Sequence, residues 1–503
     1  MRSRKIAFNS FGQIANQLAT TIVGLILPQL MIRTYGSAQY GLVDSITGFL
    51  AYITLLESGV GAISRAALYK PLSEKNEDEI SGVVKATEKF YRKLALTFLG
   101  YAVILAVVYP LFINTTFDWI FTGSLVLILA ISSFVQYYFG TAYAVLLQAD
   151  QLMYVSSFIN MAATILNAVL SVIMIYAGFS IHMVKLGAMG LFALRPLCLN
   201  VYVRHRYHLN PAAPEKSIPV RQMSAGMVHN MAWFLHSNTD VAVLTIFQSL
   251  TSVAIYSVYQ MPAKALKNIT TNIMSGMEAG FGNLLVEEKE DSVRRRFDLY
   301  VLVNNSISVA LFSTALVMIM PFIHIYTRHF TDADYISPAI GFFVLLAEML
   351  YCMRHPYHDV VTAAGHFKQT QSSAIIEAAL NIGLSIALAV TIGIPGVAFA
   401  TVVAMAYRIC YLAVYLHRNL IHYPLQYTVK KMLAALLQIV LILLVNRYIS
   451  WMDIPNYFVW FGYAVLCLVS AVLIVAMLDF LLFREDTKAA CGALSRIIRR
   501  KKR

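Results

Sequence analysis

Two stretches decide the fold: Arg195-Pro-Leu-Cys-Leu-Asn-Val-Tyr202 and Arg408-Ile-Cys-Tyr-Leu-Ala-Val-Tyr415. Arg, Leu, Val and Tyr match at a constant shift of 213. Asn167-Ala-Val-Leu-Ser171 meets Asn381-Ile-Gly-Leu-Ser385 at a shift of 214, and Ser37-Ala-Gln-Tyr40 faces Ser252 to Tyr256 at about 216. Apolar helices match by chance, so each identity alone is weak. A near-constant shift across three places carries weight, and it reads as one unit written twice. The copies are residues 1–215 and 216–420, each with six apolar runs. A six-span unit begins and ends on the same side of a membrane. Two in tandem therefore share one orientation and are related by a pseudo-two-fold axis along the membrane normal.

Composition fits a bilayer protein. Of 503 residues, 59% are hydrophobic and 13% charged, and mean hydropathy is +0.66. Soluble domains hold about 45–50% apolar and about 25% charged residues. A soluble fold cannot hide this much apolar surface. Fourteen runs are long enough to span: about 8–32, 41–63, 94–113, 119–147, 153–177, 183–203, 224–248, 252–280, 298–322, 338–361, 371–392, 396–416, 432–449 and 457–483. The expected fold is an all-α polytopic membrane protein with 14 transmembrane helices: two six-helix lobes, then helices 13–14 within 421–485 and a basic tail at 486–503. The first run lacks a small-residue cleavage site and reads as a retained helix.

With the N-terminus in the cytoplasm, 30 of the 39 Lys and Arg fall in cytoplasmic segments. Only Arg33, Lys185, Arg328 and Arg447 fall outside. That asymmetry places both termini in the cytoplasm. The net charge of +13 thus reflects strips between spans and does not point to nucleic acid. The tail from Arg496 to Arg503 suits anionic headgroups. Between Arg65 and Lys93, the residues Ile80, Val83, Val84, Thr87, Phe90 and Tyr91 recur at helical spacing, which predicts an interfacial amphipathic helix. The five cysteines (Cys198, Cys352, Cys410, Cys467, Cys491) form no CxxC and read as reduced.

Polar residues inside the spans mark a cavity, because each charge there costs about 2.5–3.5 kcal/mol. Span 8 carries Gln260, Lys264, Lys267, Thr271 and Glu278 on roughly one face, with Pro262 beside Lys264. Lys264 lies about 18 Å of helix from the outer end, close to the midplane. Span 7 carries His229, Trp233, His236 and Asp240, and span 10 carries Glu348, Arg354, His355, His358 and Asp359. Span 2 has Asp44 and Glu57; span 1 has the stripe Gln13, Asn16, Gln17 and Thr20. Lys264, Lys267 and Arg354 form a candidate cationic patch for a phosphate. Gln13, Asn16, Gln260, His236 and His355 are candidate polar lining. Glu57, Asp240 and Glu278 are candidates for proton or sodium coupling. The competing structural reading is that these groups satisfy one another between helices. Arg195 and Arg408, near cytoplasmic helix ends, read as snorkelling anchors. His355, His358 and Asp359 lack an HExxH pattern, and no GxSxG, Walker A or Rossmann fingerprint occurs in a loop. No catalytic residue, metal or cofactor is expected.

The opening of the chain carries a resemblance: Asn9, then Met31-Ile-Arg-Thr-Tyr-Gly-Ser-Ala-Gln-Tyr-Gly-Leu42, Leu55-Leu-Glu-Ser-Gly-Val-Gly-Ala62 and Arg65-Ala-Ala-Leu-Tyr-Lys-Pro-Leu72. It resembles the polysaccharide-transporter branch (Wzx-type flippases) of the multidrug/oligosaccharidyl-lipid/polysaccharide (MOP) superfamily. The motif covers about the first 70 residues; span count and repeat extend the likeness along the chain. The resemblance implies two six-helix lobes around a central cavity, in a bacterial plasma membrane. It implies that undecaprenyl-diphosphate-linked oligosaccharide passes from inner to outer leaflet by alternating access. Membrane lipids, a polysaccharide polymerase and glycosyltransferases are the implied partners. Spans 13 and 14 match the two extra helices that form a prenyl-tail groove in the related lipid II flippases. Those relatives line the cavity with first-lobe arginines. Here span 1 has only Arg33 near its outer end, so Lys264 and Lys267, with Arg65, carry the diphosphate, and a cargo other than lipid II is expected. No ATPase motif is present, so an ion gradient, the membrane potential or downstream consumption supplies the drive. Two alternatives stay open: a cation-coupled drug or metabolite antiporter, which usually stops at twelve spans, and a membrane-embedded glycan polymerase, which needs a sizeable outer loop.

Overall fold

The computed structural model describes residues 2–57, 59–113, 116–216, 224–287, 290–449, 452, 454–490 and 492, without the side chains of 2–4, 6–7, 112, 224–230, 232–233, 236–237, 275–280, 282–287 and 290. His236 and Glu278 therefore lie outside the described side chains, and the basic tail from residue 493 lies outside the described residues.

The described chain is helical throughout. Its first part holds α1 (Arg2–Tyr35), α2 (Ser37–Ala51), α3 (Thr54–Glu57), α4 (Val60–Glu74), α5 (Glu77–Phe112), α6 (Trp119–Phe139), α7 (Thr141–Ala149), α8 (Met153–Tyr176) and α9 (Ile181–Arg206). Then come α10 (Ser224–Phe247), α11 (Leu250–Glu287), α12 (Glu290–Thr327), α13 (Pro338–Ala363), α14 (Phe367–Thr391), α15 (Ile394–Asn419), α16 (Leu425–Val445) and α17 (Tyr457–Leu482). Each of the fourteen expected runs falls on helix. The total reaches 17 because two runs are broken. The second bends by 45° between α3 and α4, where Gly59 has φ 96°, a conformation that a Cβ disfavours. The fourth breaks at Gly140 between α6 and α7.

Among the described residues, ten helices are long and apolar enough to cross a membrane, or up to eleven with the bent pair as one span. The chain is a multi-pass membrane protein. Neither α11 nor α13 is among the ten. The reason is their cargo of charge: Lys264 and Lys267 on α11, and Glu348, Arg354 and Asp359 on α13.

Two compact units emerge, Met1–Phe234 and Leu235–Arg503, with the division inside α10. Both repeat one packing scheme. In the first, α5 packs on α6, α6 on α9 and α8 on α9; in the second, α12 packs on α13, α13 on α15 and α14 on α15. The repeat extends to single hydrogen bonds. Arg195 Nη1 donates to Asn160 Oδ1 at 3.5 Å, and Arg408 Nη1 donates to Ser373 Oγ. Both pairs span 35 residues, with the arginines at the shift of 213 and their partners one residue out of the 214 register of Asn167 and Asn381. The second unit adds α16 and α17, which pack on α12. Polar keys fix them there: Lys431 Nζ donates to the Asp298 carbonyl at 2.6 Å, while Asp479 accepts from Ser306 (2.6 Å) and Gln438 (2.7 Å).

Three expectations change. The segment expected to form an interfacial helix is the first third of α5, a single helix of 36 residues, or about 54 Å. Asn76 caps it by accepting from Glu79 N at 3.1 Å, and three acids fill its first turn. Ile80, Val83, Val84, Thr87 and Tyr91 are buried in protein. The covering elements include α4 and α7 and the strap 210–216, held by Asn210 N to Ser81 Oγ at 2.8 Å and Lys89 to Glu215 at 2.7 Å. Arg408 is no snorkelling anchor: it is 1% exposed and held between helices. Lys185, counted with the outer segments, lies in the first turns of α9 and faces a cavity.

Candidate functional site

The second unit gathers the charges that the sequence scatters. Lys267 on α11 meets Glu348 on α13 at 2.9 Å, with side chains 12% and 8% exposed. Arg354, almost two turns further along α13, meets Glu377 on α14 at 3.4 Å. Glu377 also lies 3.2 Å from Arg408 on α15. Lys267 and Arg354 both approach the Tyr351 ring, 4.9 and 4.7 Å from its centroid, a favourable placement for cations. At the far end of α13, Asp359 accepts from Tyr300 at 2.5 Å and lies 3.4 Å from His355 and 3.8 Å from His358.

Next to these stands an oxygen cluster. Tyr256 OH donates to Asp240, and Gln260 donates to Tyr256 at 3.1 Å. Thr401 Oγ1 lies 3.1 and 3.2 Å from the two Asp240 oxygens, and Asn381 donates to Thr401 at 2.9 Å. Asn381 Oδ1 is buried with no hydrogen-bond partner. Lys264, half-buried on α11, acts on Asp240 through its charge. A carboxylate, a hydroxyl and an amide oxygen without a hydrogen are hard donors that suit a small hard cation or a proton. Among the described residues no group of three or more His, Cys, Asp or Glu is placed to hold a metal ion.

Arg354 and Arg408, both buried, and Lys264 and Lys267, both half-buried, thus share the unit with the carboxylates Asp240, Glu348, Glu377 and Asp359. Lys267, Arg354 and Arg408 lie in ion pairs with two of these acids. Burial favours such pairing, since an unpaired ion in a low-dielectric interior costs several kcal/mol. Sequence reading found Gln260, Lys264, Lys267, Arg354, His355 and Asp240, which the fold brings into this one unit. It missed Glu377, Thr401 and Asn381. Glu377 is a lone acid in an apolar run, and only its spacing from Arg408 across two helices gives it meaning.

The remaining candidates belong to the first unit. Arg65 donates to Gln148 Oε1 at 3.1 Å. Glu57 accepts from Tyr91 at 3.2 Å and from Tyr137. Gln13 is exposed and reaches Met153 Sδ at 3.8 Å. Asn16 Oδ1 is buried without a hydrogen-bond partner.

The sequence matches no family profile and no curated protein. Solved structures do resemble it. A lipid II flippase, MurJ in an inward closed conformation, aligns with a TM-score of 0.70 at 15% identity, over 93% of this chain and 98% of that one. The fold is MOP-like. A multidrug-resistance MATE transporter of the MOP superfamily, inward-facing, aligns at 0.55 and 13% identity, over 80% of this chain and 94% of its own. The MATE multidrug transporter DinF-BH aligns at 0.56 and 17%, over 83% and 95%.

Proposed function

We propose that this protein is a flippase that moves an undecaprenyl-diphosphate-linked oligosaccharide from the inner to the outer leaflet of a bacterial plasma membrane by alternating access. One observation carries the reading. The likeness to the lipid II flippase runs over 93% of the chain, whereas the likeness to the MATE transporter runs over 80%. The difference is close to the share of the chain beyond residue 420, which holds α16 and α17. Polar bonds key each of these helices to α12 and, buried, to each other, as expected of a part that works with the body.

In this reading a diphosphate competes with Glu348 and Glu377 for Lys267 and Arg354, and Lys264 contributes a third cation. Arg65 enters through the sequence resemblance. Binding the anion then releases carboxylates to protons or cations, which links cargo to an ion gradient. Asp240, with Thr401 and Asn381, is the coupling site; Glu57 and Glu278 are further candidates. The sugar itself is read by hydrogen-bonding and aromatic side chains. A second reading, a cation-coupled drug or metabolite antiporter, draws support from the same charge balance, since a site with no excess positive charge also suits cationic cargo.

The test is flipping in sealed proteoliposomes. A labelled undecaprenyl-diphosphate oligosaccharide is followed by its accessibility to an impermeant enzyme. Wild type is expected to flip, and Lys264→Ala to lose flipping while keeping its melting temperature. Removing α16 and α17 is expected to abolish flipping. Absence of wild-type flipping, with and without an imposed proton or sodium gradient, would overturn the reading in favour of the antiporter.

A further inference from the structure

The internal repeat assigns the oxygen cluster of the second unit a counterpart in the first. At shifts of 213 and 214, Asn381 corresponds to Asn167, Ser385 to Ser171 and Thr401 to Ala188. All three counterparts line one cavity of about 330 Å3. The amide and the serine are kept. The threonine hydroxyl that meets Asp240 in the second unit is replaced by Ala188.

A cation has been added. Lys185, three residues before Ala188 on the same helix, lines this cavity. Lys185 feels the charge of Asp44, which does not itself line the cavity. The second-unit cluster is built on a carboxylate, Asp240, whereas this cavity carries an ammonium. Around the ammonium the hydrogen-bonding pattern is mixed. Thr47 and Ser132 spend their hydroxyl hydrogens on Val43 and Leu129 carbonyls at 2.7 and 3.3 Å, which leaves their oxygens as acceptors. Asn167 accepts from Ser171 at 3.4 Å, which leaves its NH2 as a donor. Phe192 and Tyr137 add aromatic surface.

We infer that this first-unit cavity binds a small hydroxyl-rich organic anion of the hexuronate class. The carboxylate meets Lys185 and Asn167; ring hydroxyls donate to Thr47 and Ser132. The volume falls in the range of about 300–1,000 Å3 typical of small-molecule sites. An ammonium has three donors, so Asp44 and a ligand carboxylate can share it. The inference does not rest on the direction or cargo of transport, because occupancy of the cavity is an equilibrium property of one unit.

The experiment is equilibrium binding to the purified full-length protein with three probes: glucuronate, glucose and inorganic phosphate. A charge-assisted hydrogen bond is worth enough to make glucuronate bind about tenfold more tightly than glucose. Lys185→Met is expected to erase that preference while glucose binding stays, and Lys185→Arg to restore it. Ala188→Phe fills the cavity and should abolish binding of both sugars; Ser171→Leu serves the same purpose if that variant does not fold. The inference is overturned if wild type binds no glucuronate, if the filled cavity binds it unchanged, if Lys185→Met keeps the preference, or if phosphate displaces bound glucuronate as fully as glucuronate itself does.

Discussion

Replacing Glu377 by glutamine should be among the most damaging single changes in the second unit. The side chain is 3% exposed and faces Arg354 at 3.4 Å and Arg408 at 3.2 Å, themselves 9% and 1% exposed. Glutamine keeps the volume and removes the charge. Two guanidinium groups are then left buried, and both keep their charge at neutral pH. Removing one partner of a buried pair costs about 3–5 kcal/mol. With two arginines stranded the upper end is expected, softened by the Tyr351 ring beneath Arg354. The assay is reversible unfolding in mixed micelles, read as a free energy for wild type, Glu377→Gln, Arg408→Met and the double variant. The double variant should be more stable than the sum of the single losses predicts, by a coupling of about 1–3 kcal/mol. A Glu377→Gln protein within about 0.5 kcal/mol of wild type, or strict additivity, would refute the reasoning and make the triad an accident of proximity.

Further outcomes follow from other parts of the molecule. Thr401→Val removes one oxygen from the Asp240 cluster; the ion concentration that half-saturates gradient-driven flipping should rise roughly tenfold or more, and Asp240→Asn should remove the gradient dependence. Asn76→Ala should cost about 1 kcal/mol of unfolding free energy and Asn76→Asp far less, since aspartate caps equally well. The Tyr207 phenol donates to Asp150 at 2.6 Å, and burial first, then that carboxylate, raises its pKa above the ordinary value near 10. The native state thus holds the proton more tightly than the unfolded chain, so this stabilisation is complete below about pH 10 and fades as pH rises beyond it. Tyr207→Phe should therefore melt with a shallower alkaline decline than wild type; an unchanged slope would count against the contact.

Much of the helical framework was legible because apolar runs and a constant residue shift survive translation into structure. The placement of every expected run on helix follows from length and hydropathy alone. The breaks at Gly59 and Gly140 were not legible, since both lie inside unbroken apolar patterns. The interfacial reading of Ile80 to Tyr91 failed for a definite reason: helical periodicity reports an apolar face, not what covers it, and here the cover is protein. Lys185 was misplaced because loop counting treats any lysine at the edge of a run as exposed. Of the second-unit network, the cations stood out as oddities in span 8 and span 10. Their acid on α14 did not, because a charge gains its role from a partner 23 or more residues away.

The repeat makes the asymmetry between the units informative. Arg195 and Arg408 occupy matching positions and each reaches one helix back, to Asn160 and Ser373. Yet Arg408 is fully buried and Arg195 is not. The difference traces to one position: at the shift of 214, Glu377 corresponds to Ala163. An arginine can be buried in an apolar bundle when a carboxylate accompanies it; with alanine there, burial would leave the charge uncompensated at a cost of several kcal/mol. The same logic applies at the Asp240 cluster, which is built on an acid, whereas the cavity at the matching Asn167, Ser171 and Ala188 carries Lys185. Charge pairing set by single positions thus separates the units, beside the helix breaks at Gly59 and Gly140. Installing Glu at Ala163 should accordingly pull Arg195 inward, detectable as reduced reactivity of Arg195 towards a guanidine-modifying reagent. Unchanged reactivity would mean that the surrounding helices, not the missing acid, keep that arginine out.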